Sequence, residues 1–126
     1  MLKSYPAIFH KEEDGSYWVE FPEFGGGTQG ANVEEALKNA RGMLESVLAA
    51  YIDEGLDMPK PSDIMTLTVK GGFVSMIQAD PTPFIRNNKA IRKNVTVPEW
   101  LVRLADREKV NYSEVLTQAL ETKLQA

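Results

Sequence analysis

Apolar positions run along this chain in two periods, one suited to strands and one to helices. Lys3–Phe9 is apolar and aromatic, and Tyr17, Trp18, Val19 and Phe21 form a second run after Asp14-Gly15. Asp-Gly between two such runs predicts a β-hairpin. Pro22 closes the second run, and glycines at 25, 26, 27 and 30 allow tight backbone geometry around a short third strand at Thr28–Ala31. Gly25, Gly27 and Gly30 fall at GxGxxG spacing, but that spacing alone is a weak signal, no GKS accompanies it, and a third strand is expected within it rather than the strand-to-helix turn that cradles a phosphate. The period then changes. Asn32, with Glu35 three residues on, makes a capping-box arrangement, and Val33, Ala36, Leu37, Ala40, Leu44, Val47, Leu48 and Tyr51 recur at helical spacing. The predicted helix spans Val33 to about Asp53, roughly 30 Å at 1.5 Å per residue, which suffices to cross a small sheet. Phe73–Ala79 reads as a further strand. The order β-β-β-α-β over residues 1–80 describes an α+β layer with its helix on one face of the sheet.

Asp80-Pro-Thr-Pro marks a turn and Asn87-Asn88-Lys89 has no apolar period, so a linker is expected at 81–90 and a second domain at 91–126. Ile91–Val97 alternates, with Arg92, Asn94 and Thr96 on one side and Ile91, Val95 and Val97 on the other, as in a strand. Lys93 is the exception on the apolar side. Pro98 suits the first turn of a helix, predicted through about Lys109 with Leu101, Leu104 and Ala105 inward. Asn111, with Glu114 three residues on, caps a second helix whose stripe is Tyr112, Val115, Leu116, Ala119, Leu120 and Leu124. These 36 residues are too few to bury an adequate core alone, so dimerisation is expected.

Composition adds limits rather than a chemistry. With 43% apolar and 25% charged residues the 126-residue chain is ordinary globular material. No apolar run approaches the roughly 20 residues that span a bilayer, and the N-terminus lacks the apolar block of a signal peptide. A cytoplasmic protein without membrane attachment is expected. The absence of Cys excludes disulfides and thiolate metal sites. The net charge of −4 is unevenly divided: residues 1–85 carry 6 basic and 13 acidic side chains, residues 86–126 carry 8 basic and 5 acidic. Arg86, Lys89, Arg92 and Lys93 precede Val97 with no acid among them, a field that favours phosphate. Charge alone fits a solvated linker equally well.

No catalytic constellation emerges. Glu12, Glu13 and Asp14 are clustered, but at a hairpin tip they face solvent without the rigid cage a metal nuclease needs. His10 is the only histidine, which rules out His-pair metal sites. No enzyme activity, metal or cofactor is expected.

Two resemblances sharpen the function. KNVTVPEWLVRLADREKVNYSEVLTQALETKL is similar to a ribbon-helix-helix domain, which implies that two chains pair their short strands and insert the ribbon into the DNA major groove. Arg92, Asn94 and Thr96 would then face base edges, where Arg suits guanine acceptors, Asn bonds adenine bidentately, and Thr offers a hydroxyl or packs on the thymine methyl. Lys93 adds charge, and Asn111 and Ser113 place a helix N-terminus at a phosphate. YPAIFHKEEDGSYWVEFPEFGGGTQGANVEEALKNARGMLESVL resembles the HicB antitoxin domain in its EDG hairpin, YWVEFPE, TQG and EEAL-led helix. Gly25-Gly26-Gly27 departs from the Pro-Gly-Cys common there. The resemblance implies a partial ribonuclease-H-like fold that covers a small, basic, mRNA-cleaving HicA-like toxin and blocks its catalytic histidine. It also implies that the chain binds its operator as a homodimer, with tetramers left open, and represses its own operon. Tyr17 and Trp18 are aromatic candidates for the toxin contact, although strand alternation sends one of them into the core. The other reading is a ribbon-helix-helix regulator whose N-terminal domain senses a ligand or oligomerises.

Overall fold

The structure is a computed structural model and describes residues 1–124; the last two positions of the expected 91–126 domain lie outside the described residues. It is a mixed α+β protein that divides into two compact units, Leu2–Asn87 and a C-terminal one beginning at Asn88. The first contains strands β1 (Lys3–Lys11), β2 (Tyr17–Phe21) and β3 (Gly26–Gly30), helix α1 (Val33–Asp53) and strand β4 (Gly72–Ala79). The strands form one antiparallel sheet in the order β3-β2-β1-β4. The three N-terminal strands thus form a meander, and β4 returns after the helix to pair with β1.

The strands bury one face under α1, and in β1 the intervening Pro6 on the other face is buried as well. Tyr5, Ala7 and Phe9 of β1, Val19 and Phe21 of β2, and Ile77 and Ala79 of β4 are buried under α1. The helix answers with Ala36, Ala40, Leu44 and Leu48, a strict four-residue repeat, all at 0% exposure. Small alanines at the N-terminal end let α1 approach the sheet closely, while the leucines fill the space further along. The approach is tightest at Gly30, where an added Cβ would lie 2.3 Å from the Ala36 backbone nitrogen. Asn32 caps the helix by accepting from the Glu35 N–H at 2.9 Å, so the predicted start and end at Val33 and Asp53 both stand.

The β1–β2 hairpin turns over Glu12–Ser16, with Gly15 at φ +89 and its N–H donating to the Glu12 carbonyl. Strand β3 lies over Gly26–Gly30 rather than at Thr28–Ala31. Glycines carry no side-chain period, so their ladder to Glu20 and Phe21 was invisible to pattern reading. The long return from α1 to β4 is tied down at two points: Tyr5 Oη donates to the Pro59 carbonyl at 2.6 Å, and the Ser62 N–H donates to Glu23 Oε1 at 2.6 Å. Burial, and then the Glu23 charge, raise the Tyr5 pKa and keep that donor protonated.

The segment expected as a linker at 81–90 belongs to the first unit as far as Asn87. A single 3₁₀ turn at Thr82–Phe84 leads into a clamp at the C-terminal end of α1. There the Asp53 carboxylate accepts the Arg86 N–H at 2.9 Å and the Asn87 N–H at 2.8 Å, while Asn87 Nδ2 donates to the Asp53 carbonyl at 3.1 Å. The Arg86 and then the Asn87 backbone hydrogen bonds lower the Asp53 pKa. A depressed folded-state pKa means that the clamp is stabilising above the ordinary Asp value of about 3.9 and is lost as pH falls through the lower folded value. Hydrogen exchange should therefore show the Arg86 and Asn87 amides protected near neutrality and released in strong acid. Asp53→Asn should remove that protection at neutral pH; unchanged protection in the variant would refute the clamp.

The C-terminal unit contains α2 (Glu99–Arg107) and α3 (Tyr112–Leu124). Helix α2 stops at Arg107, two residues short of the expected end, in a turn with Lys109 in the left-handed region at φ 54. The Val110 N–H bonds the Ala105 carbonyl at 3.0 Å and the Lys109 N–H bonds the Asp106 carbonyl, which closes α2 in the manner of a Schellman cap. The strand predicted at Ile91–Val97 joins no ladder among the described residues. Its alternation is real, but a strand needs a neighbour for its N–H and C=O groups, and a single chain offers none here.

Candidate functional site

The C-terminal unit is a structure with its inside showing. Among described residues 88–124 none is buried, although the segment is rich in large apolar side chains. Residues from the ribbon segment and both helices line an open apolar groove of about 430 Å³, including Val95, Val97, Leu101, Ala105, Leu116 and Ala119. Trp100 (65% exposed) and Leu120 (51%) remain in solvent, so the stripe predicted to point inward has no opposite side to meet. Within the unit, Tyr112 ties α3 to α2: its hydroxyl donates to Asp106 Oδ1, with the Val102 carbonyl also in reach at 3.3 Å. The bond to Asp106, ahead of burial, raises the Tyr112 pKa.

The six side chains singled out for DNA contact fall into three groups. Arg92, Lys93 and Ser113 line one concavity of about 620 Å³ between the ribbon segment and the start of α3. Lys93 also borders the apolar groove, in keeping with its place on the apolar side of the alternation. Asn94 and Thr96 are exposed and border neither hollow. Asn111 is engaged as the cap of α3, its Oδ1 accepting from the Glu114 N–H at 3.1 Å. That cap positions the free N–H groups of the first turn, next to the Ser113 hydroxyl, where an anion is favoured.

In the first unit the two aromatic candidates part company. Tyr17 lies on the helix side, half-buried, with its ring edge-on to Phe73 at 5.9 Å. Trp18 lies on the open face of the sheet, 41% exposed. The same open face carries Ile8, Val74 and Met76, and His10 Nε2 sits 2.9 Å from Glu20 Oε1 there. Met76 and this polar pair were missed from sequence, although strand parity with Trp18 and His10 was available to find them.

The hairpin acids Glu12, Glu13 and Asp14 are exposed. Asp14 Oδ1 accepts from the Ser16 hydroxyl at 2.6 Å and the Ser16 N–H at 3.0 Å, bonds that lower its pKa. Among the described residues no group of three or more His, Cys, Asp or Glu side chains is placed to hold a metal ion, and no helix is long and apolar enough to cross a membrane.

Among solved structures, the fold is similar to a toxin–antitoxin complex chain from Streptococcus pneumoniae, at 31% identity over 98% of this chain and 99% of that one, with a TM-score of 0.63. It is also similar to the antitoxin HicB of Burkholderia pseudomallei, at 22% identity over 97% of this chain and 96% of that one, with a TM-score of 0.57; at that identity the likeness is one of fold. No curated protein sequence gives a significant match. Residues 5–120 match the family described as HicB-like antitoxin of bacterial toxin–antitoxin systems, a span that takes in both units. The chain belongs to the HicB-like antitoxin family.

Proposed function

We propose that this antitoxin neutralises a HicA-like, mRNA-cleaving toxin through its N-terminal unit and represses its own operon through a C-terminal ribbon-helix-helix formed by two chains. The observation that carries the reading is the unfinished C-terminal unit: two helices and an alternating segment around an apolar groove, with none of its described residues buried. A second copy supplies what is missing. Antiparallel pairing of two Ile91–Val97 segments would satisfy their backbone groups, and the two grooves would close on each other as one core.

The paired ribbon then presents Arg92, Asn94 and Thr96 twice, related by symmetry, to a palindromic operator. Lys93, Ser113 and the Asn111-capped N-terminus of α3 would hold the flanking phosphates. Helix α1 packed on one face of a four-stranded sheet is compatible with a partial ribonuclease-H-like domain, used for holding a partner rather than for cleavage. The charge of this unit suits a basic toxin, since residues 2–87 carry 13 acidic and 7 basic side chains.

The test is to express the tagged full chain with the product of the adjoining gene. A small basic protein that copurifies, whose toxicity to growth disappears on co-expression, and a complex that footprints the operon's own promoter are the expected results. Absence of both copurification and growth rescue would sink the toxin half; absence of a footprint would sink the operator half.

A further inference from the structure

We infer that the open face of the sheet, anchored by Trp18 and Met76, is the surface that seats the basic toxin; this rests on the toxin-binding reading above. The sheet has one face covered by α1; on the other Trp18, Gln29, Met76 and Gln78 are exposed, while Pro6 is fully buried. On that second face the register brings half-buried Ile8 between Glu20 and half-buried Val74, and His10 opposite Trp18, while Met76 lies opposite the buried Pro6. Trp18 is 41% and Met76 42% exposed, both high for large side chains in paired strands. Trp18 and Met76, exposed on the same face of the sheet, are the two large apolar side chains there that a partner could cover.

Trp18 is already in place for binding. Its ring lies across β3 over Gly27, where an added Cβ would come within 2.6 Å of Cζ2. Glycine at 27 therefore clears a bed for the indole, and an aromatic held this way loses little conformational freedom on docking. Aromatic side chains in such settings carry disproportionate binding energy. The face between the levels of Met76 and Trp18 spans on the order of 200 Å² from strand spacing and rise, and with Pro6 buried within it the patch offers less than a quarter of the roughly 800 Å² per side of a standard interface. The remainder must come from its surroundings.

Those surroundings decide the occupant. Glu20 stands within the patch beside His10, and the hairpin joining β1 to β2 carries Glu12, Glu13 and Asp14, all exposed. A second copy of this chain would bring the same carboxylates against themselves, a repulsive arrangement. A partner with an apolar contact ringed by Lys and Arg would pair with them, and the acids would speed its arrival.

The experiment titrates the full-length chain with the HicA-like toxin from the adjoining gene, its catalytic histidine replaced so that it can be purified. Trp18→Ala and Met76→Glu should each weaken binding at least about tenfold, the threshold for an interface residue of consequence. Lys38→Ala, on the solvent side of α1, should stay within about twofold. Raising ionic strength from about 0.1 M to about 1 M should slow association by the wild type, as the Debye length falls from about 10 to about 3 Å. Circular dichroism checks that each variant is folded, and Met76→Glu keeps the test sound should Trp18→Ala unfold. Wild-type binding that both folded variants retain within twofold would overturn the assignment of this face. If those variants instead lose only self-association, the face belongs to a second copy and the proposal fails. A wild type that binds no toxin would overturn the underlying reading itself.

Discussion

Leu116→Asp should leave the full chain monomeric at concentrations where the wild type dimerises, and should abolish operator binding. Leu116 is the one large apolar side chain that borders both hollows of the C-terminal unit, and it is 37% exposed in the single chain. In a two-chain core it would be buried twice, so a carboxylate there is also introduced twice. Burying a charged group without a partner costs several kcal/mol, and even about 2 kcal/mol per copy weakens the dimer about a thousandfold. Sedimentation equilibrium across a concentration series reads the change directly. The N-terminal unit has its own core of Phe9, Phe21, Leu44 and Leu48, so it should keep its thermal transition. A Leu116→Asp chain that still sediments as the wild-type dimer would refute the shared core.

Arg92→Ala and Asn94→Ala should preserve the dimer and destroy its choice of DNA. A good bidentate base contact is worth about 1–3 kcal/mol, and each residue acts twice in a symmetric ribbon. The loss is then about 2–6 kcal/mol, from roughly thirtyfold to more than ten-thousandfold at the operator, with little change on unrelated DNA. Lys93→Ala should behave differently, weakening operator and unrelated DNA alike and flattening the salt dependence, since it supplies charge rather than base contacts. Competition binding between operator and scrambled duplex separates these outcomes. Equal losses on both duplexes for Arg92→Ala and Asn94→Ala would show that these residues meet only backbone, and would move base reading elsewhere.

What could be read from sequence followed the physics of short-range pattern. Helix α1 was legible almost to the residue because the Asn32 cap and an apolar stripe at helical spacing bear on the same element. Strands β1, β2 and β4 were legible as short apolar runs bounded by turn residues. Strand β3 was misplaced because its glycines report nothing, and the ribbon at 91–97 has no ladder because pairing depends on a second strand. The Asp53 clamp joins groups 33 residues apart through backbone N–H donors, which leave no trace in residue identity. The open sheet face lay between these extremes. Strand parity alone separates Trp18 from Tyr17, but only the placement of α1 says which of the two is covered.

The unfinished state of residues 88–124 bears on how long the protein lasts. If a second copy covers it, as proposed, this segment is stabilised by mass action, and each tenfold fall in concentration removes about 1.4 kcal/mol of that stabilisation. When synthesis stops and the pool shrinks, a growing share of chains exposes α2 and α3, and proteases that follow the open population find more substrate per molecule remaining. Loss should then accelerate as it proceeds, so that the antitoxin pool ends abruptly rather than trailing away.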